Sequence, residues 1–512
     1  MNSARFRPAY SLVLLAAFGL RCINLSGRPL WYDEAFAILY AALTPVKMIY
    51  GTVTPIAGAG ASDVHPLLYY FSLHAWMRGA GSSPFAARFL SVLLGVLTVA
   101  LLWRLADWVF DRRTGLAVAL LAAVNPFHVA YSQEARMYAL LAFAAVAAAG
   151  GMLRALESRG EGEKARPSFK WWALYAAAAA LTLYAHNLGA FVLIALHLLV
   201  LTQRRWRRRL LELAAADLGA LLLFAPWLIG VLPGQLGFVQ RGYWLAPPGA
   251  GEAVRALMLP LLTFYEPAPS WLLALGLFTG LLLLVLLITR AARARSRAGW
   301  FLWLCWAPLL LLMLVSLWRP LYLERALLPA ALFYLLAIGW LLARGGLPRP
   351  LRVALVALLL LATSASLVNH YTYARFPRPP FEQMDDWLQQ RLSPGEVVLH
   401  DNKLTFFPAY LYDPTLPHAF CPDLAGSSSD TLARPTQEAL GLFATPISQT
   451  VTPTVGGVWY VAFDRTWVEY RALGYDDGPN RAWLRAHCRQ EGPVSTLADL
   501  EVYHFVDCEA GP

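Results

Sequence analysis

Lysine is nearly missing from this chain. Only Lys47, Lys164, Lys170 and Lys403 occur in 512 residues, and Arg carries the remaining basic charge. Charged residues of all kinds are scarce, 14% against 58% hydrophobic, and the mean hydropathy is +0.49. A soluble globular chain is about half apolar and about a quarter charged, so that class is excluded. The net charge of +10 does not mark a nucleic-acid binder. The basic residues fall in short loops between apolar runs, where they bias membrane topology. Cysteine is sparse too: of five, Cys22 and Cys305 lie in apolar runs as core residues, and Cys421, Cys488 and Cys508 come late in the chain. Their spacing matches no zinc site, and a Cys488–Cys508 disulfide would leave one over. There is no internal repeat. The first apolar run, Ala9–Ile23, follows Arg5 and Arg7 without a small-residue cleavage site, so a retained span with a cytoplasmic N-terminus is expected.

What is present is a succession of apolar runs. After the first, spans are expected over Pro84–Trp108, Leu116–Ala130, Arg136–Leu153, Trp171–Ala185, Leu188–Leu201, Leu210–Leu232, Trp271–Thr289, Trp300–Trp318, Ala326–Ala343 and Val353–Val368, eleven in all. Between the first two lies a polar-aromatic stretch. It holds an amphipathic helix over Trp31–Leu43, closed by Thr44-Pro45, and a mobile loop at Gly58 to Gly60. The segment from His65 to Met77 is shorter than the roughly 20 residues a span needs. Placing it in the outer interface puts every basic loop inside: Asp111-Arg112-Arg113, Arg154–Lys170, Gln203–Arg209, Arg290–Arg297 and Arg344–Arg352. A second outer loop, Pro233–Ser270, carries an apolar stretch, Val254–Phe264, too short to cross.

From Phe376 the composition shifts toward Asp and strand-length apolar runs. Helices are expected at Phe381–Leu392 and Arg481–Arg489, and strands at Glu396–His400, Val458–Phe463, Thr496–Leu497 and Val502–Val506. The expected fold class is an α-helical polytopic membrane protein with a C-terminal extracytoplasmic α/β domain. The boundaries are 1–375, with outer-face juxtamembrane helices in 26–83, and 376–512.

One stretch stands out: Trp31-Tyr32-Asp33-Glu34-Ala35-Phe36, two carboxylates among aromatics at a membrane–water boundary. Ionised groups are costly there unless paired or used. Acids in the first turn of an interfacial helix also simply complement its dipole, with Trp31 and Tyr32 as belt anchors. The expected topology brings more polar groups to the same face: His65, Arg88, His128, Glu134, Arg136, His186, Asn187, Glu324 and Arg325. Singly, Arg88 could pair with a carboxylate or a headgroup, and His128 and His186 could be satisfied interface histidines. Together they suit a site that binds an anionic lipid headgroup and activates a nucleophile beside it.

Four segments in this order carry a resemblance: Leu30-Trp31-Tyr32-Asp33-Glu34-Ala35, His65-Pro66-Leu67-Leu68-Tyr69-Tyr70, Tyr131-Ser132-Gln133-Glu134-Ala135-Arg136-Met137-Tyr138 and Glu324-Arg325-Ala326-Leu327-Leu328-Pro329. The chain resembles the GT-C glycosyltransferases of the protein O-mannosyltransferase-like family, bacterial branch, and more distantly the lipid A aminoarabinose transferases, over roughly residues 9 to 343. It departs where Leu67 follows Pro66 in place of a second proline. It departs again where Ala326 replaces a tyrosine, which bears on donor selectivity rather than on the reaction.

The resemblance implies inverting transfer of a sugar from a polyprenyl-phosphate donor to an acceptor hydroxyl on the outer face. The acceptor class, lipid, glycan or protein, stays open. The resemblance places Asp33, with Glu34 beside it, as the catalytic acids. Arg136, Arg325 and His65 would contact the donor phosphate, and Glu134, Tyr138, Arg88 and His186 would orient the site. No cofactor is required, although a divalent metal near Asp33 is admitted. The partners are the lipid donor, the acceptor and membrane lipids. Elementary chemistry agrees: a sugar hydroxyl needs a carboxylate to take its proton, and a departing lipid phosphate needs fixed guanidinium donors. Two rival readings are a transporter or flippase of lipid-linked sugars, against which the absence of an inverted repeat counts, and a non-catalytic receptor using its outer domain.

Overall fold

The computed structural model describes residues 7–55, 65–158, 169–235, 247–263, 267–424, 426–427, 431–452 and 454–509. Gly58 to Gly60, Arg5, Lys164 and Phe264 lie outside them. Helices occupy all eleven expected apolar stretches. Among the described residues seven are long and apolar enough to cross a membrane, or eight if one bent pair counts as a span. The chain is therefore a polytopic α-helical membrane protein.

The first helices run α1 (Arg7–Cys22), α2 (Tyr32–Ala41), α3 (Pro45–Val53), α4 (Leu68–Ala80) and α5 (Pro84–Val109). They continue with α6 (Arg112–Val124), α7 (Pro126–Ser132), α8 (Tyr138–Glu157), α9 (Phe169–Ala185), α10 (Gly189–Thr202) and α11 (Leu210–Gly230). Caps explain several boundaries. Thr44 caps α3 and Ser83 caps α5, each followed by a proline at the first helical position, where its missing N–H costs nothing. Asp111 accepts from the amides of Arg113 and Thr114 at the start of α6. The 13-residue α4 is too short to cross a bilayer unaided.

The expected straight span Leu116–Ala130 is instead broken. α6 and α7 meet at a 58° bend. Pro126 cannot donate back along the helix, and the Asn125 side chain caps α7 by accepting from the His128 amide at 2.8 Å. Further helices cover Ser270–Ala294, Ala298–Ser316, Leu328–Arg344 and Arg349–Thr372, with a tight turn of 3-10 helix at Glu324–Leu327.

The C-terminal region holds a six-stranded sheet: β1 (Glu396–His400), β2 (His418–Phe420), β3 (Gly457–Phe463), β4 (Arg489–Gln490), β5 (Ser495–Leu497) and β6 (Leu500–Val506). The order is β2-β1-β3-β6-β4, with β5 also on β6. β1 pairs parallel with β2 and β3, while β6 runs antiparallel to β3. Every residue of β3 is buried, as expected of a central strand covered on both faces. Alternation splits its side chains. Trp459 and Val461 join Val398, Phe381 and Met384 in one core, and Val458 and Tyr460 join Leu399, Tyr503 and Leu484 in the other. Cys488 and Cys508 form a disulfide beside the second core, and Cys421 is a free buried thiol.

Candidate functional site

Asp33 and Glu34 are neighbours on α2, and helical geometry turns their side chains to different surroundings. Glu34 is fully buried. Arg88, at the head of α5, donates to it in two-pronged fashion, Nε to Oε1 and Nη2 to Oε2, each at 2.8 Å. The Ala135 amide donates to Oε1 at 3.0 Å, and Arg378 donates to Oε2. Arg88 also donates to the carbonyls of Leu25 and Arg28, both at 2.7 Å. Arg378 reaches on to Glu134, Nη2 to Oε1, at 2.7 Å. Four charged side chains thus alternate in sign through the protein interior. Burial alone would raise Glu34, but Arg88 and Arg378 hold it far below the usual carboxylate range. Glu134, with burial dominant and Glu34 nearby, is pushed up.

Asp33 keeps 14% side-chain exposure. Arg325 Nη1 donates to its Oδ2 at 2.6 Å, and Arg136 Nη2 lies 3.8 Å from the same oxygen. Arg136 Nη1 also reaches the Asp33 carbonyl and the Tyr70 hydroxyl, each at 3.3 Å. Burial works to raise Asp33, but Arg136, Arg325 and His65 outweigh it and set the carboxyl below its ordinary value. It is an ionised acceptor at neutral pH. The Arg325 guanidinium lies 5.4 Å from the ring centroids of both Trp31 and Tyr138. Tyr138 leads to His186 at 5.9 Å between centroids, and His186 to His65 at 5.1 Å.

The nine residues to which the resemblance gives site roles fall into two linked groups. Asp33, Arg136, Arg325, His65, Tyr138 and His186 make one; Glu34, Arg88 and Glu134 make the other. Several outer-face candidates belong to neither. His128 is buried with Nδ1 2.9 Å from Arg21 Nη2. Glu324 Oε1 lies 3.4 Å from Arg255, and Asn187 bonds Gln235 and Trp227.

Arg378 is the residue that reading the sequence missed. Its only mark is a basic side chain inside Arg375-Phe376-Pro377-Arg378-Pro379-Pro380. Such a charge between prolines just past the last apolar run must fold back or face water. Trp31, expected as a belt anchor, and Tyr70, given no role of its own, here stand against guanidiniums. Among the described residues no group of three or more His, Cys, Asp or Glu is arranged to hold a metal ion. Asp33, the position where a divalent ion was admitted, is met by guanidiniums.

The family model described as dolichyl-phosphate-mannose-protein mannosyltransferase matches residues 64–229. A curated relative, the undecaprenyl phosphate-alpha-4-amino-4-deoxy-L-arabinose arabinosyl transferase of Pseudomonas aeruginosa (strain LESB58), is 29% identical over 237 residues. That stretch is 45% of this chain and spans only 42% of the relative. Among solved structures, ArnT from Cupriavidus metallidurans in the apo state superposes with a TM-score of 0.63 at 15% identity, over 96% of this chain and 97% of that one. Its complex with undecaprenyl phosphate gives 0.59 at 15% identity over 98% and 99%. The archaeal oligosaccharyltransferase AglB from Archaeoglobus fulgidus gives 0.52 at 14% identity over 98% and 74%. The likeness defines the class of fold. It is a polytopic helical region followed by a C-terminal domain, the fold shared with the ArnT and AglB structures. Within that class, the full-length correspondence is with the ArnT structures, while AglB is matched over three quarters of its length.

Proposed function

We propose that this protein is a membrane glycosyltransferase that moves a sugar from a polyprenyl-phosphate carrier to an acceptor hydroxyl, with inversion. The observation that carries the reading is the convergence of Arg136 and Arg325 on the partly exposed Asp33. It is supported by the undecaprenyl phosphate bound in a structure of the same fold. Guanidiniums are forked donors matched to phosphate oxygens, and a carboxylate between them is the base such a reaction needs.

In the proposed mechanism the donor phosphodiester takes up Arg325 and Arg136. Arg325 is then shared between phosphate and Asp33, and the carboxylate regains basicity. Asp33 accepts the proton of the acceptor hydroxyl as its oxygen attacks the anomeric carbon from the face opposite the phosphate. The bond from that carbon to the phosphate oxygen breaks, and the electron pair stays on the phosphate. The arginines neutralise the added charge, more strongly in the transition state than before it. Glu34, Arg88 and Glu134 hold α2 and the segment before α8 in place, His186 and Tyr138 orient the site, and His65, close enough to Asp33 to act on its charge, joins the phosphate contacts. In this reading the eleven helical stretches all cross the membrane with the basic loops cytoplasmic, and Asp33 and residues 376–512 share the outer face.

The test is direct. The purified chain in lipid nanodiscs is given a panel of undecaprenyl-phosphate sugars with lipid, glycan and peptide acceptors, and products are read by mass spectrometry. Transfer with release of undecaprenyl phosphate is expected. Carrier binding with no transfer to any acceptor, together with passage of the carrier across vesicle membranes, would favour a flippase and refute the transferase reading.

A further inference from the structure

Arg378 belongs to neither the membrane helices nor the sheet. It lies in the strap between the helix Arg349–Thr372 and the helix Phe381–Gln389 that opens the C-terminal region. Its side chain is 2% exposed. One nitrogen bonds Glu34 and the Pro29 carbonyl, the other bonds Glu134 at 2.7 Å, and the guanidinium lies 5.5 Å from the Trp31 ring centroid. Glu34 adjoins Asp33, and Glu134 precedes Arg136 by two residues. One rigid planar group therefore ties the segment bearing the carboxylate to the segment bearing a guanidinium.

The C-terminal region grips α2 and the residues just before it by other contacts as well. The Leu30 amide donates to the Tyr412 hydroxyl at 2.9 Å. Tyr32 meets Phe407 edge-on at 5.6 Å, and the Lys403 ammonium lies 5.5 Å from the Tyr32 ring centroid. Phe407, Tyr412 and Lys403 share one helix, Lys403–Tyr412.

We propose that Arg378 is a positioning residue, through which the C-terminal domain sets the distance between Asp33 and Arg136, so that the transfer geometry exists only while the domain is docked. This rests on the transferase reading above. The C-terminal domain is then part of the catalytic unit rather than an appendage. A Lys at 378 can reach either carboxylate but cannot span both in one plane. Misplacement of reacting groups by about 1 Å costs on the order of 10²-fold in rate.

The plainer alternative is that Arg378 only neutralises buried carboxylates. The variants Arg378→Gln, Arg378→Lys and Arg378→Gln/Glu134→Gln separate the two, because the double variant removes one carboxylate along with the cation and so rebalances the buried charge. They are measured as full-length protein in nanodiscs. The readouts are kcat and KM with the best donor of the panel, affinity for undecaprenyl phosphate, melting temperature, and amide exchange over residues 32–41 and 133–138.

Positioning predicts kcat down by about 10²-fold in Arg378→Gln, with KM and undecaprenyl phosphate affinity within about 3-fold. It predicts only partial rescue by Lys, and a double variant that regains its melting temperature but not its kcat. Exchange over both segments should rise at least about tenfold while the helix Leu328–Arg344 stays protected. Recovery of wild-type kcat in the double variant, or unchanged exchange in Arg378→Gln, overturns the proposal. If wild type transfers no sugar, the functional reading falls by itself, and the exchange result still decides whether Arg378 ties the two segments.

Discussion

Asp33→Asn should slow turnover and tighten carrier binding at the same time. Asn keeps the shape of the side chain but cannot accept a proton from an attacking hydroxyl. A positioned base is worth about 10²- to 10⁴-fold, so turnover should fall by at least about 10²-fold. The binding effect comes from charge. Asp33 Oδ2 now takes a 2.6 Å bond from Arg325 and sits 3.8 Å from Arg136, and a donor phosphate would share those guanidiniums with it. Two like charges roughly 6 Å apart at an effective dielectric constant of about 20 repel by about 3 kcal/mol. Ionic screening at a site open to solvent reduces this to about 1–2 kcal/mol. Removing the carboxylate should therefore tighten undecaprenyl phosphate binding by about 5- to 30-fold. Calorimetric titration in nanodiscs measures the affinity, and mass spectrometry of the product measures turnover. Turnover within tenfold of wild type, or weaker binding of the carrier, would refute the assignment of Asp33 as base beside a phosphate site.

The other predictions follow from the same geometry. Arg136→Lys should keep the charge yet lose most activity, and Arg136→Ala and Arg325→Ala should weaken carrier binding by at least about tenfold; variants that bind as wild type but melt earlier would leave only a structural ion pair. In the free protein Arg136, Arg325 and His65 hold Asp33 below its ordinary value, and donor phosphate draws off that stabilisation. The acid limb of kcat should therefore lie at higher pH than the acid limb of kcat/KM, and coincident limbs would contradict competition for Arg325. Cysteines placed at the exposed positions Arg113 and Asp476 should react oppositely with an impermeant thiol reagent in intact cells, silent at 113 and labelled at 476. Asp385 is pushed up to about 9 by burial, with Asp413, Asp386 and Glu382 adding to it. The folded state thus binds that proton more tightly than the unfolded one, and stability falls as pH rises from about 4 toward 9. Asp385→Asn should flatten the fall and stabilise the protein by a few kcal/mol at pH 7, read by denaturant unfolding at pH 5, 7 and 8.5.

Membrane helices were legible because long apolar runs have few other fates, and strand β3 because Val458–Phe463 is an unbroken apolar run of strand length. The break at Asn125–Pro126 was not, since hydropathy runs through it and only the cap and the missing N–H reveal the bend. The helix Lys403–Tyr412 was also hidden: its aromatic sequence, with Pro408 inside, has the composition of a strand, and what makes it helical is the Asn402 cap and packing on α2. β2, three residues long, carries too little periodicity to detect. At the site, the four motif segments could be read through the family resemblance, and two of them, Leu30–Ala35 and Tyr131–Tyr138, also set charge among aromatics. Arg378 could not be paired with Glu34 across 344 positions by any local rule.

The two adjacent acids show why charge alone could not assign roles. Successive residues of a helix project about 100° apart, so Asp33 and Glu34 cannot share one environment. Glu34 faces the interior with no exposure, and leaving it unpaired would cost several kcal/mol. It receives Arg88, Arg378 and the Ala135 amide, which saturate its oxygens and hold it ionised far below any pH at which it could take a proton from a hydroxyl. That is the position of an anchor. Asp33 retains solvent contact, and its shortest contact is with Arg325 from the turn Glu324–Leu327, a guanidinium whose fork of donors an incoming phosphate can share. One carboxylate is fixed and the other keeps solvent contact, and the proposed transferase reading assigns base function to Asp33 because its ion pair is the one a substrate can open.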